Sequence, residues 1–360
     1  MVQRTAVGLD VHARSVRGCG IDRETGELFE VAMRPEPGVV VGWLAGLPGP
    51  VTAVYEAGPT GYGLARAVAA AGIECQVAAP SKLLPVPGGR VKTDRRDARH
   101  LAELVAAGLV TAVRVPTPAE EAARDLVRAR DDARGDLMRA RHRLGKLLLR
   151  RGMVFDAKAW TRAHAAWLSG LRFDDPAATM AFDNDWAVVQ QTTARRDQLD
   201  KQILALIPGS CWEPAVTALG CLRGISDLTG FGLAVEIGDW ARFTGSSIGA
   251  FVGLTPSEHS SGASRRQGGV TKTGNKYARR LLVEAAWHHR SAYQPVRAAT
   301  LQKRWAKATP ALIARADQAN RRLHAQWVKY DQRGKKPAVA NAAIARELAG
   351  FCWSLAMMAP

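Results

Sequence analysis

The chain has 360 residues, with 50 lysines and arginines against 33 aspartates and glutamates, a formal net charge of +17. Single cores stop growing beyond roughly 250–300 residues, so two or three domains are expected. The charge excess argues for a polyanionic partner, nucleic acid before anionic lipid. No uninterrupted apolar run reaches the roughly 18 residues of a membrane span, and the opening MVQRTAVGLDVHARS has no secretory h-region. Five scattered cysteines without a CxxC pair or Cys/His cluster point to reduced thiols in a cytoplasm rather than to zinc.

In chain order, Arg4 to Asp10 reads as a buried strand ending on an acid. Ser15 to Asp22 alternates as a second strand, Arg23-Glu-Thr-Gly26 turns, and 27–33 forms a third. Residues 35–50 hold a short helix. Val51 to Tyr55 is a fourth strand running into Glu56, Gly58-Pro-Thr-Gly61 turns the chain into a helix over 62–71, and 73–78 is a fifth strand. Three antiparallel strands followed by alternating helix and strand is the pattern of an α/β domain with a mixed sheet.

A Pro/Gly-rich loop then leads to Lys92-Thr-Asp-Arg-Arg-Asp-Ala-Arg-His-Leu-Ala-Glu-Leu104. Ala98, Leu101, Ala102 and Val105 keep helical spacing, and Asp94 and Asp97, three apart, share one face. Taken singly, these acids read as a solvated helix start favoured by the dipole, Asp10 as a turn acid, and Glu56 as an ion-pair partner. Taken together they differ. Asp10 and Glu56 lie at the carboxyl ends of strands one and four, where open α/β sheets place ligands. Like charges gathered at one place call for a cation, and four carboxylates suit one or two Mg²⁺ ions about 3.5–4 Å apart facing a phosphate. Arg95 and Arg96 stand beside them as candidate nucleic-acid contacts.

From about 117 to 207 the signal is helical. Ala123, Leu126, Val127, Leu137, Ala140, Leu144, Leu147 and Leu148 form an apolar stripe opposite an arginine-rich face, which suits helix pairing as much as RNA. Trp160, Trp167 and Trp186 read as core or assembly anchors, with base stacking the minority reading, and Asp174-Asp-Pro and Asp183-Asn-Asp read as turns. Leu219 to Ser226 is weakly similar to the hairpin of helix-hairpin-helix modules, although Gly220 and Gly224 are not spaced as its turn requires. A helix over 227–237 follows. Residues 257–276 form a long polar, Gly-rich, basic loop of the functional kind, with phosphate donors Arg265, Arg266, Lys272 and Lys276 and candidate nucleophiles Ser260 and Ser261. Helices over 277–290, 310–333 and the segment ending near Met358 complete the chain.

Several of these motifs, in this order, resemble the DEDD transposases of bacterial insertion sequences, the IS one-ten family, recombinases guided by a bridge RNA. They are GLDVH with Asp10, YEAGPTGYGLA with Glu56, KTDRRDARHLAEL with Asp94 and Asp97, GLTPSEHSSG, and GGVTKTGNKYARRLLVEAA. The resemblance spans nearly the whole length. It implies a RuvC-like, RNase H-type α/β domain over 1–115 holding Mg²⁺, or Mn²⁺ in its place, on Asp10, Glu56, Asp94 and Asp97. It further implies a helical, coiled-coil-like assembly linker over 116–207 and a mostly helical transposase domain over 208–360. The family's Ser-x-Gly pattern falls on Ser260-Ser261-Gly262, which makes Ser260 the expected nucleophile and Ser261 its near rival. The implied partners are donor and target DNA, a guide RNA and further copies of the chain as dimer or tetramer, without a membrane. The implied setting is the bacterial cytoplasm, at the nucleoid. Competing readings are a structure-selective RuvC-like nuclease using water, an actin-like ATPase, and a non-catalytic nucleic-acid-binding protein.

Overall fold

The computed structural model describes residues 4–84, 93–258, 264, 266–295 and 299–359. The chain divides into two compact units that meet at Thr117 and Pro118.

The first unit carries β1 (Thr5–Val11), β2 (Val16–Asp22), β3 (Leu28–Met33), α1 (Pro37–Ala45), β4 (Val51–Glu56), α2 (Gly63–Ala70), β5 (Glu74–Ala78) and α3 (Asp94–Ala106). The strands form one sheet in the order β3-β2-β1-β4-β5. The β1–β2 and β2–β3 pairs are antiparallel, while β1–β4 and β4–β5 are parallel. This is the mixed sheet the strand pattern predicts. Its central strands are apolar on both faces because both are covered. Val7, Leu9, Tyr55 and Val77 pack against Val40 and Leu44 of α1 and Leu64 and Val68 of α2. On the other face Ala6, Val54 and Ala78 pack against Leu101 and Val105 of α3.

Helix α3 approaches β1 unusually closely. A Cβ placed on Gly8 would stand 2.0 Å from the Ala98 carbonyl oxygen and 2.4 Å from the Ala102 nitrogen. Only a residue without a side chain lets backbone meet backbone there. Since side chains alternate along a strand, Asp10 lies on the same face as Gly8, under the start of α3.

The second unit opens with α4 (Pro118–Leu149), α5 (Arg162–Gly170) and α6 (Pro176–Leu206). Helices α4 and α6 run antiparallel, with Arg130 bridging Asp200 at 2.6 Å and Asp136 facing Arg195 at 3.6 Å. Leu137, Leu144 and Leu148 meet Phe182 and Val189 at one end. The predicted turn at Asp183-Asn-Asp185 is instead helical, inside α6. The apolar stripe before and after it packs on α4, and tertiary burial overrides local turn preference. Asp175 does keep turn chemistry, as the N-cap of α6, accepting from the Ala178 amide at 2.8 Å.

There follow α7 (Glu213–Gly220), α8 (Asp227–Ile237), α9 (Ser247–Phe251), β6 (Pro256–Glu258), β7 (Gln267–Val270), α10 (Lys276–Ala286), α11 (Ala299–Trp305), α12 (Pro310–Gln332) and α13 (Pro337–Ala356). The tight connection Cys221–Ser226 between α7 and α8 gives the weak hairpin signal a physical form. A core built from Leu222, Ile225, Leu282, Ala286, Leu323, Trp327, Ile344 and Leu348 ties these helices together. Trp327, fully buried, donates Nε1 to the Ala286 carbonyl at 3.2 Å. The segment read as one long loop over 257–276 is partly ordered: β6 and β7 pair antiparallel.

Candidate metal centre

Three side chains converge at the carboxyl end of β1. The ligand atoms of Asp10, His12 and Asp94 lie within 4.8 Å of one another. The His12 Nε2 stands 3.1 Å from Asp10 Oδ2 and 3.9 Å from Asp94 Oδ1. Asp10 comes from the strand and Asp94 from the first residue of α3, whose N-terminus is capped by the Thr93 hydroxyl accepting from the Arg96 amide. Desolvation by burial pushes the Asp10 carboxyl above the usual carboxylate range. The His12 ring opposes this, and the Asp94 and Asp97 carboxylates add to it. Asp97 therefore acts on Asp10 from the next turn of the same helix.

Glu56 closes the group by register. Leu9 pairs with Tyr55 in the parallel β1–β4 ladder, so the next rung sets Glu56 beside Asp10, one strand spacing of about 4.8 Å away. Val54 packs on α3, so Glu56, two residues later, shares the α3 face. Asp10, Glu56, Asp94 and Asp97 thus lie on one side of the sheet, with Glu56 exposed and outside the tightest trio. Sequence reasoning passed over His12, although the i, i+2 spacing in Asp10-Val-His12 is the signal that two side chains share a side of an extended segment. Oxygen donors of this kind suit Mg²⁺ or Mn²⁺, and an imidazole nitrogen is compatible with Mn²⁺.

The remaining candidates are distributed differently. Arg95 is paired with Glu30 on β3, its Nε donating at 2.9 Å, and is drawn to that edge of the sheet. Arg96 occupies the first turn of α3. Lys272 and Lys276 are exposed, Lys276 opening α10, and Arg266 directly precedes β7. Ser260, Ser261 and Arg265 lie outside the described residues. What the structure does show is how the serine segment is closed off. Gly253 and Gly274 both adopt left-handed backbone (φ +66° and +69°), and a Cβ on either would strike the other strand of the loop. It would stand 2.1 Å from the Thr273 carbonyl in one case and 2.0 Å from the Phe251 carbonyl in the other. The Lys272 amide donates to Gly253 and the Asn275 amide to Phe251. Two glycines and several hydrogen bonds, the Thr271 amide donating to the Thr255 carbonyl among them, hold the ends of the segment together.

The chain is 39% identical to y4qE of Sinorhizobium fredii, a protein named as a transposase, over 84% of this chain and 74% of that one. A DEDD transposase model of the IS110 type matches residues 7–151, which hold all four acids, and a model described as "Transposase IS116/IS110/IS902 family" matches 217–302, which hold the serine segment. The chain belongs to the IS110 family of transposases. The chain is also 30% identical to the "Transposase for insertion sequence element IS1533" of Leptospira borgpetersenii, across 93% of this chain and 99% of the relative. IS110-family transposases process DNA, and this member has no helix among its described residues long and apolar enough to cross a membrane.

Proposed function

We propose that this transposase exchanges DNA strands at a divalent-metal site on its α/β unit, through a transient phosphoserine link made by Ser260. The observation that carries the reading is the convergence of Asp10, His12 and Asp94, with Asp97 and Glu56 on the same face, at the carboxyl end of β1. In this reading the sheet is RuvC-like and the four carboxylates hold Mg²⁺ or Mn²⁺. A divalent ion held there would supply Lewis-acid polarisation of the scissile phosphate. Asp10 and Asp94 would hold it from two different elements, and His12 orients the Asp10 carboxylate by the 3.1 Å contact. Asp10 has a raised proton affinity, first from burial and then from the Asp94 and Asp97 carboxylates, and a cation held there would favour its ionised form.

A serine hydroxyl is a weak nucleophile without activation. Ser260 Oγ forms the bond to phosphorus as the strand's own oxygen leaves and takes up the proton the serine gives up; the hydroxyl of a second strand then displaces the serine, its proton returning to Ser260 Oγ. Ser261 is the alternative attacking group. Following the family resemblance, the reading includes assembly of two or four copies, with one copy's serine serving another's acids. It also includes a guide RNA that selects the sites by base pairing, leaving the protein to read backbone and shape, the division of labour that RNA-guided effectors use.

The test is a recombination assay with purified protein, donor and target DNA, Mg²⁺ and RNA from the element's flanks, read on denaturing gels for DNA covalently attached to protein. Wild type should yield an adduct that Ser260→Ala and Asp10→Asn both abolish. Metal-dependent cleavage persisting in Ser260→Ala and Ser261→Ala, with no adduct at any stage, would identify a nuclease that uses water. Direct Mn²⁺ binding, followed by electron paramagnetic resonance, should weaken at least tenfold in Asp10→Asn whatever the nucleophile.

A further inference from the structure

Near the junction of α4, α5 and α6, away from any carboxylate trio, lies a cavity of about 470 Å³. Its walls include the rings of Trp160, His164 and Trp186, and its polar lining comes from Arg141, Gln190, Thr193 and Asp197. Four observations set it apart from ordinary packing. The Arg141 guanidinium lies over the Trp160 ring, 4.7 Å from its centroid. The Nε of Arg141 and the Nδ1 of His164 are both buried and have no hydrogen-bond partner among the described residues. His164 itself is only 6% exposed. Trp160 adopts left-handed backbone (φ +64°) immediately before the Thr161 cap of α5, a conformation that bulky residues rarely adopt.

An orphaned buried polar atom is destabilising, and such atoms in a native structure ask for an explanation. Here they flank a space with flat aromatic walls. Burial and the neighbouring Arg141 charge lower the His164 pKa, so the ring is neutral at pH 7 and keeps one donor and one acceptor nitrogen. Aromatic rings, an arginine over one of them and a rim of amide, hydroxyl and carboxylate groups are the elements with which proteins hold an unstacked base. An arginine fork matches the O6 and N7 acceptors of guanine. The carboxylate of Asp197 accepts from Arg196 Nε through Oδ1 at 2.7 Å, and its second oxygen complements the N–H groups of the same base.

We propose that this cavity takes one unpaired guanine base from a single-stranded segment of nucleic acid. The base lies against Trp160 and Trp186, Arg141 donates to its O6/N7 edge, and Asp197 accepts from its N1–H/N2–H edge. A small rotation of Arg141 and His164 then gives their orphaned nitrogens partners.

The experiment compares wild type with Arg141→Lys and Trp186→Leu, full-length and in the presence of 0.15 M salt, by fluorescence anisotropy. The probes are oligouridylate, the same oligomer with one central guanosine, the same with one central adenosine, and GMP as competitor. Wild type should bind the guanosine oligomer about tenfold more tightly than oligouridylate. Arg141→Lys, which keeps the charge and loses the fork, should erase that preference while leaving oligouridylate affinity and its salt slope in place. Trp186→Leu should weaken the guanosine oligomer likewise. Equal binding of all three oligomers by wild type would overturn the proposal, as would a guanosine preference that survives Arg141→Lys. GMP that binds while no oligomer shows a preference would overturn it in favour of a free-nucleotide site.

Discussion

At the scale of single residues, the acids depend on a residue with no side chain. Gly8 brings the backbone of α3 against β1, and that contact sets Asp94 and Asp97 beside Asp10. Gly8→Ala would drive a methyl into the Ala98 carbonyl and the Ala102 amide, which are backbone atoms and cannot rotate aside. Overpacking of this kind costs about 3 kcal/mol or more. We expect Gly8→Ala to lower the urea midpoint of unfolding and to weaken Mn²⁺ binding at least tenfold, although every acid is retained. Unchanged metal affinity in a folded Gly8→Ala protein would show that α3 is placed by other contacts. The placement of the four acids at one end of the sheet was legible in the sequence, because charged residues at strand ends and at i, i+3 spacing leave a local signature. Gly8 and His12 were not singled out there: the requirement at Gly8 exists only once α3 has returned to β1 across ninety residues of chain.

At the scale of elements, the mixed sheet and most helices could be read from alternation and from 3.6-residue periodicity, with boundaries displaced by a few residues. The failures have a common cause. Asp183-Asn-Asp185 looked like a turn because its residues favour one locally, yet burial of the flanking stripe on α4 keeps α6 continuous. The β6–β7 pairing escaped notice because its strands are three and four residues long and carry almost no apolar pattern. The arginine-rich face of α4 was balanced between RNA contact and helix pairing. In the fold Arg128 bonds Glu236, Arg130 bonds Asp200 and Arg134 bonds Glu284, so much of that face joins helices to one another. The paired glycines below the serine segment give an element-scale prediction. Gly274→Ala combines a strained left-handed backbone with a collision at the Phe251 carbonyl. It should ease local opening by about 1.4 kcal/mol or more. Limited proteolysis within 251–276 should then run roughly tenfold faster, at an unchanged rate elsewhere, and DNA–protein adduct should fall in parallel.

At the scale of the whole molecule, stability carries a pH dependence traceable to one buried ring. His289 is fully buried between α10 and α12, and neither ring nitrogen has a hydrogen-bond partner among the described residues. Burial, with Arg223 and His288 nearby, pushes its pKa down to about 3. In the unfolded chain this histidine takes up a proton near pH 6.5, while in the fold it does so only near pH 3. The unfolded state therefore binds more protons across that window. Stability is complete above about pH 6.5 and declines as the pH falls towards 3, by about 1.4 kcal/mol per pH unit from this group. Urea unfolding of wild type and His289→Leu between pH 7 and 4.5 should show the slopes differing by one proton, with the variant the flatter. Parallel slopes would show that the ring gains a proton in the folded state.

The dependence of α3 on Gly8 bears on how insertion elements are counted in genomes. If the four carboxylates hold the metal as proposed, an open reading frame with all its acids is not enough to make a copy able to move. A one-codon change at Gly8 would leave every carboxylate in the sequence while forcing α3, with Asp94 and Asp97, away from β1. A count of competent copies based on the acids alone would then be too high, and the glycine two residues before Asp10 belongs among the positions inspected.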